Sequence, residues 1–256
     1  MSIELLISAI KISVEAGEKI MEIYDSPFSV EVKEDHSPLT AADKASHEII
    51  SESLAKWNFP VLSEEGKAIP YEIRKNWKNY WLVDPLDGTK EFVKRNGEFT
   101  VNIAFMEGNS PLLGVIYSPA IGNICAGFNN RVYSLEKKEV NNLSVGNLEN
   151  FILKAEKDGS SGEIKVVASR SHLSPETGEF ISMLGKAGDK ISIVNAGSAL
   201  KFCLLAEGKA DVYPRFAPTM EWDTAAGHAI LKACGKNILL HSTGTEMKYN
   251  KPSLVN

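Results

Sequence analysis

Trp81-Leu82-Val83-Asp84-Pro85-Leu86-Asp87-Gly88-Thr89-Lys90-Glu91-Phe92 carries an apolar run into a turn dense with oxygen ligands. The run stops at two carboxylates three residues apart. Pro85 stiffens the backbone between them, and Gly88 admits a turn closed to other residues. Carboxylates crowded in this way repel one another and cost free energy unless a cation sits among them. Hard oxygen ligands on a tight turn suit Mg²⁺, a metal recruited for phosphate chemistry. Asp-Gly alone is an ordinary turn pair, but further acids point the same way. Glu64-Glu65 ends its own apolar run, Asp223 follows Trp222 at a helix start, and Asp43 lies in the first turn of another helix. Taken singly, Asp43 and Asp223 read as helix-start acids that complement the helix dipole.

Around this turn the chain has the means to bury a large core. Its 256 residues, 43% hydrophobic and 24% charged, allow one compact body or two closely packed domains. A net charge of -5 argues against a nucleic-acid polymer as partner, while leaving room for a small anion in a local cationic pocket. Cys125, Cys203 and Cys234 are far apart in sequence and lack CxxC spacing, so they read as buried, reduced thiols. The Met1-Ser2-Ile3-Glu4 start lacks the basic residues of a secretory signal, and no apolar run approaches the ~20 residues of a membrane helix. A cytoplasmic protein is expected, with peripheral attachment at the inner membrane left open.

Periodicity predicts an amphipathic helix over 3–25 and a second over 41–57, N-capped by Thr40. A short strand is expected over 30–34. Strands are expected at 81–83, 100–106, 112–117 and 124–128, with Asn129-Asn130 as a tight turn before Val132-Tyr133. That region reads as an antiparallel meander. The polar stretch 136–162 is loop-rich, and Asp158-Gly159-Ser160-Ser161-Gly162 marks the expected break between lobes covering 1–158 and 159–256. Beyond it, strands at 164–168, 191–194 and 211–213 alternate with helices at 175–184, 198–206 and 224–234, as in an α/β lobe.

The ordered set Ser63-Glu64-Glu65, Asp84-Pro85-Leu86-Asp87-Gly88-Thr89 and Glu221-Trp222-Asp223-Thr224-Ala225-Ala226-Gly227 resembles the inositol monophosphatase superfamily of Mg²⁺-dependent, lithium-sensitive phosphatases. The likeness spans nearly the whole chain. It implies an α/β (α+β) fold, a layered αβαβα sandwich, with the cleft between lobes and Asp223 reaching across from the second. Glu64, Asp84 and the Leu86 carbonyl would hold a first Mg²⁺, and Asp84, Asp87 and Asp223 a second, with a looser third ion near Glu64. A metal-activated water would attack phosphorus, oriented by Thr89 and Asp43, with Glu64 counted among the catalytic groups. The N–H groups of Gly88 and Thr89 would grip phosphate oxygens. Without the resemblance, Thr89 reads as a plain turn hydroxyl.

Within the superfamily, Lys90-Glu91-Phe92 and Arg95-Asn96-Gly97-Glu98-Phe99-Thr100 look most like the CysQ-type 3'(2'),5'-bisphosphate nucleotidases of sulfur metabolism. Ser169-Arg170-Ser171-His172, Gly197-Ser198-Ala199-Leu200-Lys201 and Tyr213-Pro214-Arg215 agree. By this resemblance Lys201 and Arg215 would bind a 5'-phosphate, and Gly197 and Ser198 would line the ribose or base, with His172 nearby. Asp223 would touch substrate as well as metal. On their own, Lys201 and Arg215 read as solvated surface charges and His172 as a capping or surface residue. The implied reaction is hydrolysis of the 3'-phosphate of adenosine 3',5'-bisphosphate, with 3'-phosphoadenylyl sulfate as a second candidate substrate. Inositol monophosphate or fructose 1,6-bisphosphate hydrolysis on the same fold is the alternative, and a binding module without turnover a third reading. Monomer and homodimer both stay open. The end Lys251–Asn256 is shorter than the resemblance leads one to expect, which bears on terminal packing and not on ligands.

Overall fold

The structure, a computed structural model of the chain, describes residues 2–32, 38–155, 162–168, 174–185 and 190–256. It begins with α1 (Ser2–Tyr24), whose buried stripe includes Leu6, Ile10, Val14 and Ile20 at helical spacing. A small antiparallel pair, β1 (Val30–Val32) and β2 (Pro38–Thr40), leads into α2 (Ala41–Ala55). Thr40 caps α2 as its sequence position suggests, accepting from the Ala42 N–H at 3.2 Å.

The main sheet has six strands, in order β3 (Val61–Ser63), β4 (Asn79–Asp87), β5 (Thr100–Glu107), β6 (Ser110–Ser118), β7 (Asn123–Phe128) and β8 (Arg131–Glu136). β3 and β4 are parallel and every later pair is antiparallel, so the expected meander is present. Asn129 and Asn130 both take positive φ, 49° and 59°, which makes the two-residue turn that joins β7 to β8. Short helices α3 (Tyr71–Arg74) and α4 (Thr89–Val93) flank β4. The loop-rich stretch contains 3₁₀ turns at Lys137–Asn142 and Leu148–Phe151.

In the second half, β9 (Glu163–Ala168) and β10 (Lys190–Asn195) pair in parallel, with α5 (Pro175–Gly185) between them in sequence. Residues 211–213 do not form a full strand: Val212 alone bridges Val166, and the Asp211 carboxylate takes the Lys165 N–H at 2.7 Å in place of a ladder bond. α6 (Leu200–Glu207) starts two residues later than periodicity suggests, because Ser198 sits at φ 51°. α7 (Glu221–Ala233) starts earlier.

Both faces of the six-stranded sheet are covered. α1 and α2 pack on one, around Trp81, Val83, Phe99 and Phe105. α6 and α7 pack on the other, around Tyr80, Leu82, Ala104 and Ile116. At Gly114 of β6 a Cβ would stand 2.2 Å from the Ala226 carbonyl oxygen, so α7 lies on the strand at a distance only glycine allows. β9 and β10 form the next layer and α5 the last, which completes the αβαβα sandwich. The expected break at 158/159 falls outside the described residues, and α7 shares its core with the N-terminal sheet. Cys125 and Cys203, distant in sequence, meet in this second core and are free, as is Cys234. Among the described residues no helix is long and apolar enough to cross a membrane.

Candidate active site

β4 pairs with β5 from Asn79↔Glu107 to Asp84↔Asn102 and resumes at Asp87↔Thr100. The strand therefore carries one extra residue in the Asp-Pro-Leu-Asp stretch, a bulge that re-aims its side chains. Pro85 has no N–H to donate there, and its carbonyl accepts from Ser46 Oγ of α2 at 2.7 Å. Asp84 is turned inward, 1% exposed, and accepts the Leu86 N–H at 3.1 Å. Asp87 is half-buried and faces a cleft. Gly88 then adopts φ 91°, which ends the strand and starts α4.

The two helix-start acids do both things their positions suggest. Asp43 Oδ2 takes the Thr40 N–H and hydroxyl, each at 2.7 Å, and leaves Oδ1 to the Thr89 hydroxyl at 3.1 Å. The same Thr89 hydroxyl lies 3.4 Å from the Leu86 carbonyl. Asp223 Oδ2 caps α7 by accepting the Met220 N–H at 2.8 Å, and the residue lines the cleft. In each helix one carboxylate oxygen serves the fold, taking the N–H of the residue three before it.

The acids act on one another strongly. Burial pushes the Asp84 carboxyl well above the ordinary range, and the charges of Glu64, Asp87 and Asp223 add to it. The Glu64 side chain hydrogen-bonds Asp84 directly, a contact two carboxylates make only by sharing a proton or a cation. Burial and the Asp87 charge raise Asp223 to about 7, against the opposing Met220 N–H bond. Burial also raises Asp43, with Glu65 adding to it and the Thr40 bonds opposing. Among the described residues no basic side chain pairs with Asp84, and no three His, Cys, Asp or Glu form a closed metal-holding group. The donor set is nonetheless all oxygen, mutually repelling and partly buried, which is what a hard divalent cation relieves.

The second half meets the turn through Ser198. Its hydroxyl lies 2.6 Å from Asp87 Oδ2 and 2.8 Å from the Asp87 carbonyl, and 2.9 Å from Thr100 Oγ1. Lys201 holds this loop from below, donating to the Ser198 carbonyl at 2.7 Å and the Ala196 carbonyl at 3.3 Å. The expectation of a solvated Lys201 is overturned: it is 4% exposed, its ammonium lies 5.3 Å from the Tyr213 ring centre, and burial lowers its pKa. Arg215 is exposed and donates to the carbonyls of Ala217 and Pro218. Gly197 is buried against Glu98, where a Cβ would stand 2.8 Å from the Glu98 Cβ. His172 lies outside the described residues.

Some contributors were not singled out from sequence. Thr100 and Asn102 bracket Asp87, with Asn102 Nδ2 donating to Asp87 Oδ2 at 3.4 Å and Thr100 Oγ1 to Asn102 Oδ1 at 2.9 Å. The available signal was two polar residues on one face of an otherwise apolar strand. His47, one turn beyond Asp43 on α2, lies 2.9 Å from Ser63 Oγ and ties α2 to the strand that delivers Glu64. Asp87, Gly88, Ser198, Lys201, Arg215 and Asp223 all line one cleft of about 950 Å³.

The layered α/β sandwich thus ends a strand of its main sheet in an acidic Asp-Pro-Leu-Asp-Gly-Thr turn, beside a cleft lined by Asp87, Asp223, Lys201 and Arg215. The chain belongs to the inositol monophosphatase family, whose profile matches residues 3–256. It is 43% identical over 227 residues to the 3'(2'),5'-bisphosphate nucleotidase CysQ of Escherichia coli K12, covering 87% of this chain and 85% of that one. Against the protein of the same name from Buchnera aphidicola the identity is 40% over 94% of this chain and 85% of the other. The crystal structure of CysQ from Bacteroides thetaiotaomicron superposes with a TM-score of 0.85 at 43% identity, covering 99% of this chain and 94% of that one.

Proposed function

We propose that this chain is a Mg²⁺-dependent phosphatase that removes the 3'-phosphate of adenosine 3',5'-bisphosphate, giving AMP and phosphate, with 3'-phosphoadenylyl sulfate as a second substrate. One observation carries the reading. A single cleft is lined by both carboxylates, Asp87 and Asp223, and cations, Lys201 and Arg215. A bisphosphate needs both: one phosphate reacts while the other anchors, so remote binding energy positions the chemistry. The names of the relatives support the same substrate class.

Glu64, Asp84, Asp87, Asp223 and the Leu86 carbonyl would hold two Mg²⁺ ions, with a third near Glu64. Bound there, the cations supply positive charge for the phosphate and the leaving oxygen and lower the pKa of water. The remaining work falls to side chains of this chain. Thr89 donates its proton to Asp43, so its oxygen is free to accept one from the attacking water. Asp43, raised by burial and held by Thr40, is placed to act as the base behind Thr89. The water adds its hydroxyl to phosphorus and gives up its proton by way of Thr89 to Asp43, the bond from phosphorus to the 3'-oxygen breaks, and that oxygen takes a proton from solvent, to which Asp43 returns the one it received. The N–H groups of Gly88 and Thr89 steady the phosphate oxygens. Lys201 and Arg215 would anchor the 5'-phosphate by charge-assisted bonds.

Relative turnover on adenosine 3',5'-bisphosphate, inositol 1-phosphate and fructose 1,6-bisphosphate tests the reading. The nucleotide is expected to lead by a wide margin. Faster hydrolysis of inositol 1-phosphate would overturn it.

A further inference from the structure

The cleft does not end at the phosphate anchors. Its lining also holds three aromatic rings: Phe216, the residue after Arg215 in the chain, Phe180 of α5, and His241 in the hairpin closed by the Leu239–Glu246 bridge. Three separate segments bring these rings together. Their centroids stand 5.0 Å (Phe216–His241), 5.8 Å (Phe180–Phe216) and 5.9 Å (Phe180–His241) apart, with two of the three pairs edge-to-face. Phe180 and Phe216 are only half-buried, so the cluster fills no core.

Phosphate hydrolysis has no use for such a wall. Nor do Gly197 and Ser198 offer a flat apolar surface in its place, since Gly197 is packed on Glu98 and the Ser198 hydroxyl is committed to Asp87. The cleft's volume of about 950 Å³ lies at the upper end of the ~300–1,000 Å³ that binding sites for whole small molecules occupy. Aromatic faces stack on nucleobases whatever the base, because every base has a π-face. In a nucleoside bisphosphate the base and the 5'-phosphate hang from one ribose, and here Phe216 follows the cation Arg215 in the chain and both line the cleft.

We infer that Phe180, Phe216 and His241 form the stacking wall for the substrate's nucleobase, an inference that rests on the nucleotide reading above. The wall recognises a base by its flat face and not by its edge, so the site favours a nucleotide over a bare sugar phosphate and discriminates weakly between adenine and guanine.

Binding without turnover separates this from the hydrolase reading. Calorimetric affinities of the metal-free protein are compared for AMP and for ribose 5-phosphate, which lacks the base. The wild type should bind AMP more tightly by about tenfold or more, given ~1–3 kcal/mol for stacking one base. Phe180→Leu keeps apolar volume and removes a ring, and with His241→Ala it should bring the two affinities together while ribose 5-phosphate binding stays put. If the double variant loses ribose 5-phosphate binding as well, His241→Ala alone decides, since that side chain is exposed and its loss leaves the core intact. A preference for AMP that survives in the variant, or no preference in the wild type, overturns the inference. Failure of phosphate release with the preference intact would count only against the hydrolase.

Discussion

Ser198 Oγ lies 2.6 Å from Asp87 Oδ2, a contact between residues 111 apart in sequence that joins the second half of the chain to the acidic turn. The serine reaches it only by taking φ 51°, a left-handed conformation that costs a non-glycine residue about 1–2 kcal/mol. Strain kept beside a carboxylate suggests that the hydroxyl fixes Asp87. Ser198→Gly separates the two effects, because glycine accepts the backbone and lacks the hydroxyl. Thermal stability should hold or rise, while the Mg²⁺ concentration for half-maximal phosphate release should rise about tenfold or more, from the ~1.5–3 kcal/mol of a hydrogen bond to a charged group. An unchanged Mg²⁺ requirement would remove Ser198 from the site.

Asp84 is buried among like charges, and its ionised form strains the metal-free fold. Asp84→Asn should therefore raise the melting temperature in chelator, by about 2–4 °C for each kcal/mol relieved in a chain of this size. The same change should cost orders of magnitude in rate with Mg²⁺ present, because a carboxylate that would hold the metal is lost. A variant both less stable without metal and normally active would contradict the assignment.

Asp223 gives the pH dependence its sign. Its folded value of about 7 stands above the ~4 of an unfolded carboxylate, so the native state holds the proton more tightly. The stability this confers is complete below ~4 and is lost as pH rises toward the folded value. A cation competes for the same oxygens and needs them unprotonated. Melting curves with and without Mg²⁺ should diverge as pH climbs through about 7. A gap that is constant with pH would argue against Asp223 as a ligand.

The C-terminal strap is a separate test of how α7 is held. Glu221 is fully buried, and takes the Lys251 ammonium at 2.6 Å and the N–H groups of Asn250 and Lys251 at 2.7 and 3.0 Å. Asn256 reaches back to the Thr219 hydroxyl, the Met220 carbonyl and the Thr224 hydroxyl, all within 3.1 Å. These contacts secure the turn that precedes Asp223. Lys251→Met keeps the stem and removes the charge, leaving a buried carboxylate to its N–H donors alone. A loss of about 1–3 kcal/mol in denaturant unfolding is expected, and no loss would mean that the pair contributes nothing net.

Much of this is legible in the sequence alone. The Asp84–Thr89 turn, the strand meander, the Thr40 cap and the alternating second half follow from period, turn chemistry and residue type, which are local. What could not be read depended on contacts between distant segments. Lys201 looks like any helix lysine until the Ala196 and Ser198 carbonyls and the Tyr213 ring close over it. The strand expected at 211–213 has the right residues, yet the Asp211 side chain takes the place of a ladder bond. Nothing in the spacing of Phe180, Phe216 and His241 announces that three segments bring them together. The strap on Glu221 was equally invisible, since its partners lie about 30 residues on.

The central claim is that Glu64, Asp84, Asp87 and Asp223 are neighbours that need a shared cation in order to hydrolyse a nucleotide bisphosphate. Phosphate release from adenosine 3',5'-bisphosphate, followed while Mg²⁺ is titrated in and then withdrawn with chelator, tests it most directly. The account predicts release that rises to saturation with Mg²⁺, vanishes in chelator and returns when the metal is restored. Equal release with and without the metal would contradict it.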